Sequence, residues 1–247
     1  VILASAYQAA FFAESWRPYP MIDHVETETG FTLSRERLQT AARVLACPVK
    51  AHPPNWQHGR VLYAVASRAL RGFAADVTSI GPWGPASAPV TLLDIGTAKG
   101  FSALCLQWAL LDSGVPGRVV SVDVIDPAAR VLRNTVAECD GPKTLAELLA
   151  PWPEAHAITF VRQTGADWLA SSLDRVHVAF VDGKHTGDVV RAEGHALARR
   201  QRADDVVVFD DLQIPGVASA VSSLASMYAV ETIDTQANRI YAVGRRR

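Results

Sequence analysis

From Val90 onward the chain alternates short, nearly continuous apolar runs with longer stretches of helical periodicity. The apolar runs are Val90–Ile95, Arg118–Val124, Ala157–Arg162, His177–Val181 and Val206–Phe209, which read as strands buried on both faces of a parallel sheet. Between them lie Phe101–Asp112, Pro127–Cys139, Ala166–Ser172 and Gly187–Arg200, each long enough for a crossover helix. Asp126 followed by Pro127 predicts an N-cap with proline at the first helical position. Pro215–Met227 predicts a further helix, and Tyr228–Ile233 and Asn238–Val243 predict two strands joined by a short turn. This order predicts an α/β fold: a doubly wound, Rossmann-like, seven-stranded sheet closed by a terminal antiparallel hairpin.

The first 89 residues read differently. They hold 8 of the 14 prolines and 10 of the 19 aromatic residues, and they predict short helices such as Ser34–Leu45 and Arg60–Phe73. Ser34 is placed to cap the first of these. Pro82–Pro89 has the composition of a linker. The division expected is a helical cap or lid over residues 1–89 and a core domain over residues 90–247. Within the first part, Asn55–Arg60 is a candidate border of the site. Packing alone, or pairing of two chains through Val1–Phe12, are the other readings of this segment.

Composition narrows the function only by exclusion. The 247 residues are 49% hydrophobic with a formal net charge of −1, which removes the broad basic surface of a general nucleic-acid binder. The 3 cysteines, Cys47, Cys105 and Cys139, are too scattered for a disulfide framework or a zinc site. The longest uncharged stretch, Leu212–Val230, is too polar to span a membrane. Val1–Ala13 has neither a basic leader nor an evident cleavage site, so a cytoplasmic location is expected. Twenty arginines against four lysines suggest a GC-rich genome.

Candidate chemistry begins where the first strand ends, in Asp94-Ile95-Gly96-Thr97-Ala98-Lys99-Gly100-Phe101-Ser102. Two glycines let the backbone approach a ligand at the carboxyl edge of the sheet. The spacing fits neither a dinucleotide fingerprint, since position 98 is alanine, nor a phosphate-binding loop, since Phe101 follows Gly100. The second strand ends in Asp123, an acid placed to accept ribose hydroxyls. Thr164-Gly165-Ala166 follows the third strand. On these motifs, in this order, residues 90–244 resemble a class I S-adenosylmethionine-dependent methyltransferase. The resemblance implies that Asp94, Gly96, Thr97, Ala98, Gly100 and Ser102 bind the methionine part of S-adenosyl-L-methionine. It implies that Asp123 holds the ribose and that Thr164, Gly165 and Ala166 border the adenine. Asp94 can equally act indirectly by orienting the loop, Lys99 can be a solvated loop residue, and Ser102 can cap its helix.

The fourth strand runs into Asp182-Gly183-Lys184-His185 and the fifth into Asp210-Asp211, on the same edge of the sheet. Three converging carboxylates repel each other in low dielectric, and a hard cation such as Mg²⁺ would relieve them. Here the chain resembles the cation-dependent O-methyltransferases of the catechol and macrocin types, which implies Asp182, Asp210 and Asp211 as metal ligands. The other reading has Asp182 on the cofactor side only and the Asp210–Asp211 pair capping the next helix. His185 stands where the catechol type has a lysine. An imidazole suits proton removal at neutral pH, with Lys184 as the other candidate base and an orienting role for His185 also open.

The function expected is methyl transfer from S-adenosyl-L-methionine to a hydroxyl of a small-molecule acceptor, with a divalent metal and without nucleic-acid or membrane partners. A homo-oligomer is possible on these residues. The alternatives are a metal-independent O- or N-methyltransferase and a cofactor-binding partner subunit without chemistry. The presence of Asp182, His185, Asp210 and Asp211 together weighs against the last.

Overall fold

A computed structural model describes residues 4–47, 54–79, 89–132, 141–236 and 239–247. Four helices open the chain: α1 (Ala4–Ser15), α2 (Pro20–Thr29), α3 (Arg35–Leu45) and α4 (His58–Ser79). The Ser34 side chain accepts from the Arg37 N–H and starts α3, as its sequence predicts. The core then runs β1 (Val90–Ile95), α5 (Phe101–Ser113), β2 (Gly117–Asp123), β3 (Val131–Leu132), β4 (Pro142–Lys143), α6 (Leu145–Leu149) and β5 (Thr159–Arg162). It continues through α7 (Gly165–Ser171), β6 (Val178–Val181), α8 (Gly187–Ala198), β7 (Val206–Phe209), α9 (Pro215–Ser223), β8 (Tyr228–Asp234) and β9 (Ile240–Arg246). Among the described residues, no helix is long and apolar enough to cross a membrane.

Seven strands form one sheet in the order β5-β2-β1-β6-β7-β9-β8. The first five are parallel, and β9 inserts antiparallel between β7 and β8. This is the expected doubly wound sheet with its antiparallel end. The chain reverses its direction of travel across the sheet between β1 and β6, so the loops after these strands open a crevice there.

Strand alternation divides the core. Leu92, Val178, Phe180, Val208 and Tyr241 face one side, in a single buried cluster with Phe11, Leu38 and Leu62 of the first four helices and with Trp56. Leu93, Ile95, Ala179, Val181, Val207 and Phe209 face the other side, with Trp168, Leu197 and Val221. The buried aromatic pair Phe11–Trp56, stacked at 4.4 Å, joins α1 to the segment ahead of α4. The first residues of the chain thus build one layer of the sandwich.

One expected helix, Pro127–Cys139, does not form over its described residues, 127–132. Pro127–Cys139 begins as a tight turn, with the Ala128 N–H donating to Asp126 Oδ1 at 2.8 Å and the Ala129 N–H to the Asp126 carbonyl at 2.9 Å. Val131–Leu132 then pairs antiparallel with Pro142–Lys143, and residues 133–140 lie outside the described residues. Asp126 caps a turn, and the β-branched Val131 joins a ladder that the Asp-Pro signal does not reveal. The helix that does form here, α6, carries a capping box in which Thr144 and Glu147 satisfy each other's backbone N–H groups. The Pro82–Pro89 stretch lies almost wholly outside the described residues.

Candidate active site

The crevice begins with the turn after β1. Gly96 sits at φ +102°, and a Cβ there would lie 2.3 Å from the Asp182 carbonyl oxygen. Only glycine lets the ends of β1 and β6 approach this closely. Ala98 also has a positive φ, of 46°, and its N–H donates to Asp123 Oδ2 at 2.9 Å. The other Asp123 oxygen accepts from the Ile125 N–H. The acid at the end of β2 is thereby tied to the glycine turn. Gly100, at φ +83°, is the N-cap of α5, whose N-terminus points into the crevice as a site for negative charge.

Asp94 does not line the crevice. It is fully buried beneath the loop, where Ser121 Oγ donates to its Oδ2 at 2.6 Å and Thr97 Oγ1 lies 2.6 Å from Ser121 Oγ. Ser102 completes this network, while Asp94 Oδ1 has no hydrogen-bond partner. Burial pushes the Asp94 carboxyl up to about 7, against the hydrogen bonds from Ser121 and Ser102 that lower it. Of the two roles open for Asp94, this geometry favours fixing the loop.

A second group of residues forms the opposite wall. Asp182, His185, Asp210, Asp211 and Arg239 border a cavity of about 220 Å³ together with Gly96–Ser102, apart from Gly100, and with Leu45, Ala46, Asn55 and His58. His185 Nδ1 lies 2.8 Å from Asp211 Oδ2 and 3.6 Å from Asp182 Oδ1. The bond to Asp211 raises the imidazole above its ordinary pKa, and it helps hold Asp211 low against the opposing effect of burial. Burial first, then the charges of Asp210 and Asp211, push Asp182 well above the carboxylate range. Asp210 is 4% exposed and is pushed by burial up to about 6.

The expected acids are not equivalent in space. One ligand atom each from Asp182, His185 and Asp211 falls within 4.8 Å of the others. Asp210 stands aside, because its Oδ1 accepts from the Asp211 N–H at 2.6 Å and from Arg239 Nη1 at 3.4 Å. Arg239 Nη1 also contacts Asp211 Oδ1. Asp211 has φ +63°, an uncommon conformation for a non-glycine residue. The buried Asp182 Oδ1 has no hydrogen-bond partner, and the carboxylate oxygens of Asp182 and Asp211 fit a hard divalent cation. Lys184 is exposed and is not part of the cavity wall.

The third expected motif has a mainly structural setting. Thr164 caps α7 by accepting from the Asp167 N–H, and its hydroxyl donates to Asp167 Oδ2 at 2.7 Å. A Cβ on Gly165 would lie 2.6 Å from Glu193 Oε1 and from Ile95 Cγ2, so the glycine lets α7 pack closely. Ala166 follows, half-buried, in the first turn. Beside Asp123 a small cleft is lined by Thr97, Ala98, Ile125, Pro127, Leu145 and Phe160. Asn55 and His58 of the wall belong to the Asn55–Arg60 segment expected to border the site, whereas Leu45, Ala46 and Arg239 belong to no motif. His58 lies parallel to Phe180 at 5.8 Å and edge-on to Phe101 at 5.1 Å.

Residues 93–212 match the family model described as a methyltransferase domain. With this match and this sheet order, the chain has the Rossmann-like fold of a methyltransferase domain. Three solved structures share its fold over nearly the whole length. TomG, an O-methyltransferase from Streptomyces achromogenes involved in tomaymycin synthesis and solved with S-adenosylmethionine, is 19% identical with a TM-score of 0.56. That comparison covers 90% of this chain and 94% of TomG. Cofactor-bound Rv0187 from MTB is 17% identical over 100% of this chain and 99% of its own, with a TM-score of 0.56. An O-methyltransferase from Bacillus cereus, solved with S-adenosylhomocysteine, is 12% identical over 99% and 100% of the two chains, with a TM-score of 0.54. No curated protein matches the sequence significantly.

Proposed function

We propose that this protein transfers the methyl group of S-adenosyl-L-methionine to a hydroxyl of a small-molecule acceptor, with a divalent cation held by Asp182 and Asp211 and with His185 beside it as the base. The observation that carries this reading is one cavity shared by the glycine turn and the His185–Asp211 pair. A methyl donor seated on the first faces a proton acceptor on the second. The likeness to O-methyltransferases such as TomG supports oxygen as the accepting atom.

The cofactor supplies a methyl group on an excellent leaving group, so the protein's main task is alignment. Gly96, Thr97, Ala98, Gly100 and Ser102 would cradle the methionine part, held rigid by the buried Asp94–Ser121–Thr97 network. Asp123 would accept the ribose hydroxyls, with Thr164, Gly165 and Ala166 behind the adenine. His185, fixed through Nδ1 by Asp211, keeps Nε2 as the atom that takes the acceptor's proton. Asp211 then stabilises the imidazolium. Mg²⁺, when bound, would hold neighbouring acceptor oxygens and lower the pKa of the one that attacks. Leu45, Ala46, Asn55 and His58 bring the N-terminal helices to the acceptor wall, which supports residues 1–89 as a substrate-selecting cap on the core of residues 90–247.

The test is methyl transfer to a panel of catechols, glycosides and vicinal diols, before and after dialysis against a chelator. Turnover restored by Mg²⁺ supports the whole reading. Unchanged turnover of the metal-free enzyme favours the metal-independent alternative, for which the contact of Arg239 with Asp210 and Asp211 is the supporting observation.

A further inference from the structure

Arg239 reaches the acids from the antiparallel end of the sheet. The Thr235 N–H and hydroxyl both donate to its carbonyl, at 3.0 and 2.7 Å, and fold the chain back after β8. Next to it, Ile240 is pinned to the turn that follows β7. The Leu212 N–H donates to the Ile240 carbonyl at 3.0 Å, and the Ile240 N–H donates to Gln213 Oε1 at 3.0 Å. Gln213 Nε2 also donates to Asp211 Oδ1. The arginine is therefore locked to the backbone carrying both acids, with its side chain only 26% exposed.

Its contacts are one-sided. The guanidinium meets Asp210 and Asp211 through their Oδ1 atoms. Asp211 Oδ2 is left facing His185, beside the unpartnered Oδ1 of Asp182. The permanent positive charge of arginine offsets part of the negative charge that these acids bring together.

We propose that Arg239 is a positioning residue of the acid cluster: it holds Asp210 and Asp211 together by Oδ1, turns Asp211 Oδ2 toward Asp182 and His185, and offsets one unit of the cluster's negative charge. The cation part rests on the metal reading above. Charge setting and simple scaffolding make different predictions. Loss of a scaffold weakens every cation alike, whereas loss of a positive charge favours a trivalent ion over a divalent ion of similar radius.

The test compares the full-length protein with Arg239→Met and Arg239→Lys. Calorimetric titration gives the affinities for Ca²⁺ and Tb³⁺, S-adenosylhomocysteine binding checks the cofactor half, and thermal unfolding is followed without metal. Arg239→Met should move the ratio of affinities toward Tb³⁺ by ~10-fold or more, and Arg239→Lys should keep it within ~3-fold of the wild type. An unchanged ratio in Arg239→Met overturns the charge assignment. Without metal, Arg239→Met should lower Tm, and adding Asp210→Asn to it should recover part of the loss by relieving the Asp210–Asp211 repulsion. Absence of that recovery overturns the role of Arg239 whether or not a cation binds. If the wild type binds neither ion, the metal reading fails, and the unfolding cycle still decides the arginine.

Discussion

Nδ1 of His185 lies 2.8 Å from Asp211 Oδ2, on the side of the carboxylate opposite the oxygen that meets Arg239. This relationship fixes the imidazole tautomer and leaves Nε2 for the acceptor. Replacing His185 with Ala should lower kcat by about 10²–10⁴-fold while the cofactor dissociation constant changes little. Asp211→Asn keeps an oxygen near His185 but removes the charge that stabilises the imidazolium, so it should also lower kcat. Single-turnover rates, with cofactor affinity from calorimetry, check both. Full activity in His185→Ala would reassign the base.

Gly96 is the tightest point of the crevice. Gly96→Ala meets both a positive φ and a Cβ contact of 2.3 Å to the Asp182 carbonyl, which is backbone and cannot swing away. The backbone conformation alone costs about 1–3 kcal/mol. The expected outcome is a lower Tm together with loss of cofactor binding. Gly30→Ala, also at a positive φ, of +76°, but with open space around it, is the control for a positive φ without the clash.

Asp123 is the proposed ribose acceptor, and its two oxygens also accept from the Ala98 and Ile125 N–H groups. Asp123→Asn keeps an oxygen for only one of these N–H groups and removes the charge that would accept two hydroxyls. Hydrogen bonds to charged groups contribute about 1.5–3 kcal/mol, so S-adenosylmethionine affinity should fall about 10–100-fold. Calorimetric titration measures this directly. An unchanged affinity would place the ribose elsewhere.

The sheet and its carboxyl edge were legible in the sequence because four of the five parallel strands are short apolar runs stopped by Gly96, Asp123, Asp182 or Asp210. The turn after Asp126 was not, since Asp-Pro opens a tight turn as readily as a helix, and a two-residue pairing of Val131–Leu132 with Pro142–Lys143 leaves almost no pattern. At the site, the acids and His185 follow strands and so could be placed by order alone. Asn55 and His58 lie in the segment expected at the border, but Arg239, Leu45 and Ala46 arrive through pairing of β9 with β7 and packing of the first helices on the sheet, contacts that local spacing does not encode. Asp210 was read as the equal of Asp211. Their backbones differ, and only Asp211 turns an oxygen toward His185.

His58 should act on the acceptor more than on the cofactor. Its ring is held parallel to Phe180 and borders the cavity opposite the acids. His58→Phe preserves the stacking and removes the polar atoms, so acceptor KM should rise by about 10-fold with S-adenosylmethionine affinity unchanged. Equal changes in both constants would instead make His58 a packing residue.

Glu193 gives the fold a pH dependence of its own. It lies on α8 with its side chain buried against Gly165 and Ile95, its Oε2 has no hydrogen-bond partner, and burial raises its carboxyl to about 7. An acid whose folded pKa lies above its unfolded value binds its proton more tightly when folded. The stability this contributes is complete below the ordinary value of 4.5 and is lost as pH rises through about 7. Glu193→Gln stays neutral and similar in size, so it should not show that loss. Relative to the wild type, the variant should gain on the order of 2 kcal/mol between pH 5 and pH 8. Denaturant unfolding of both proteins at the two pH values checks this. Parallel stability curves would mean that the carboxylate finds a partner or water when it ionises.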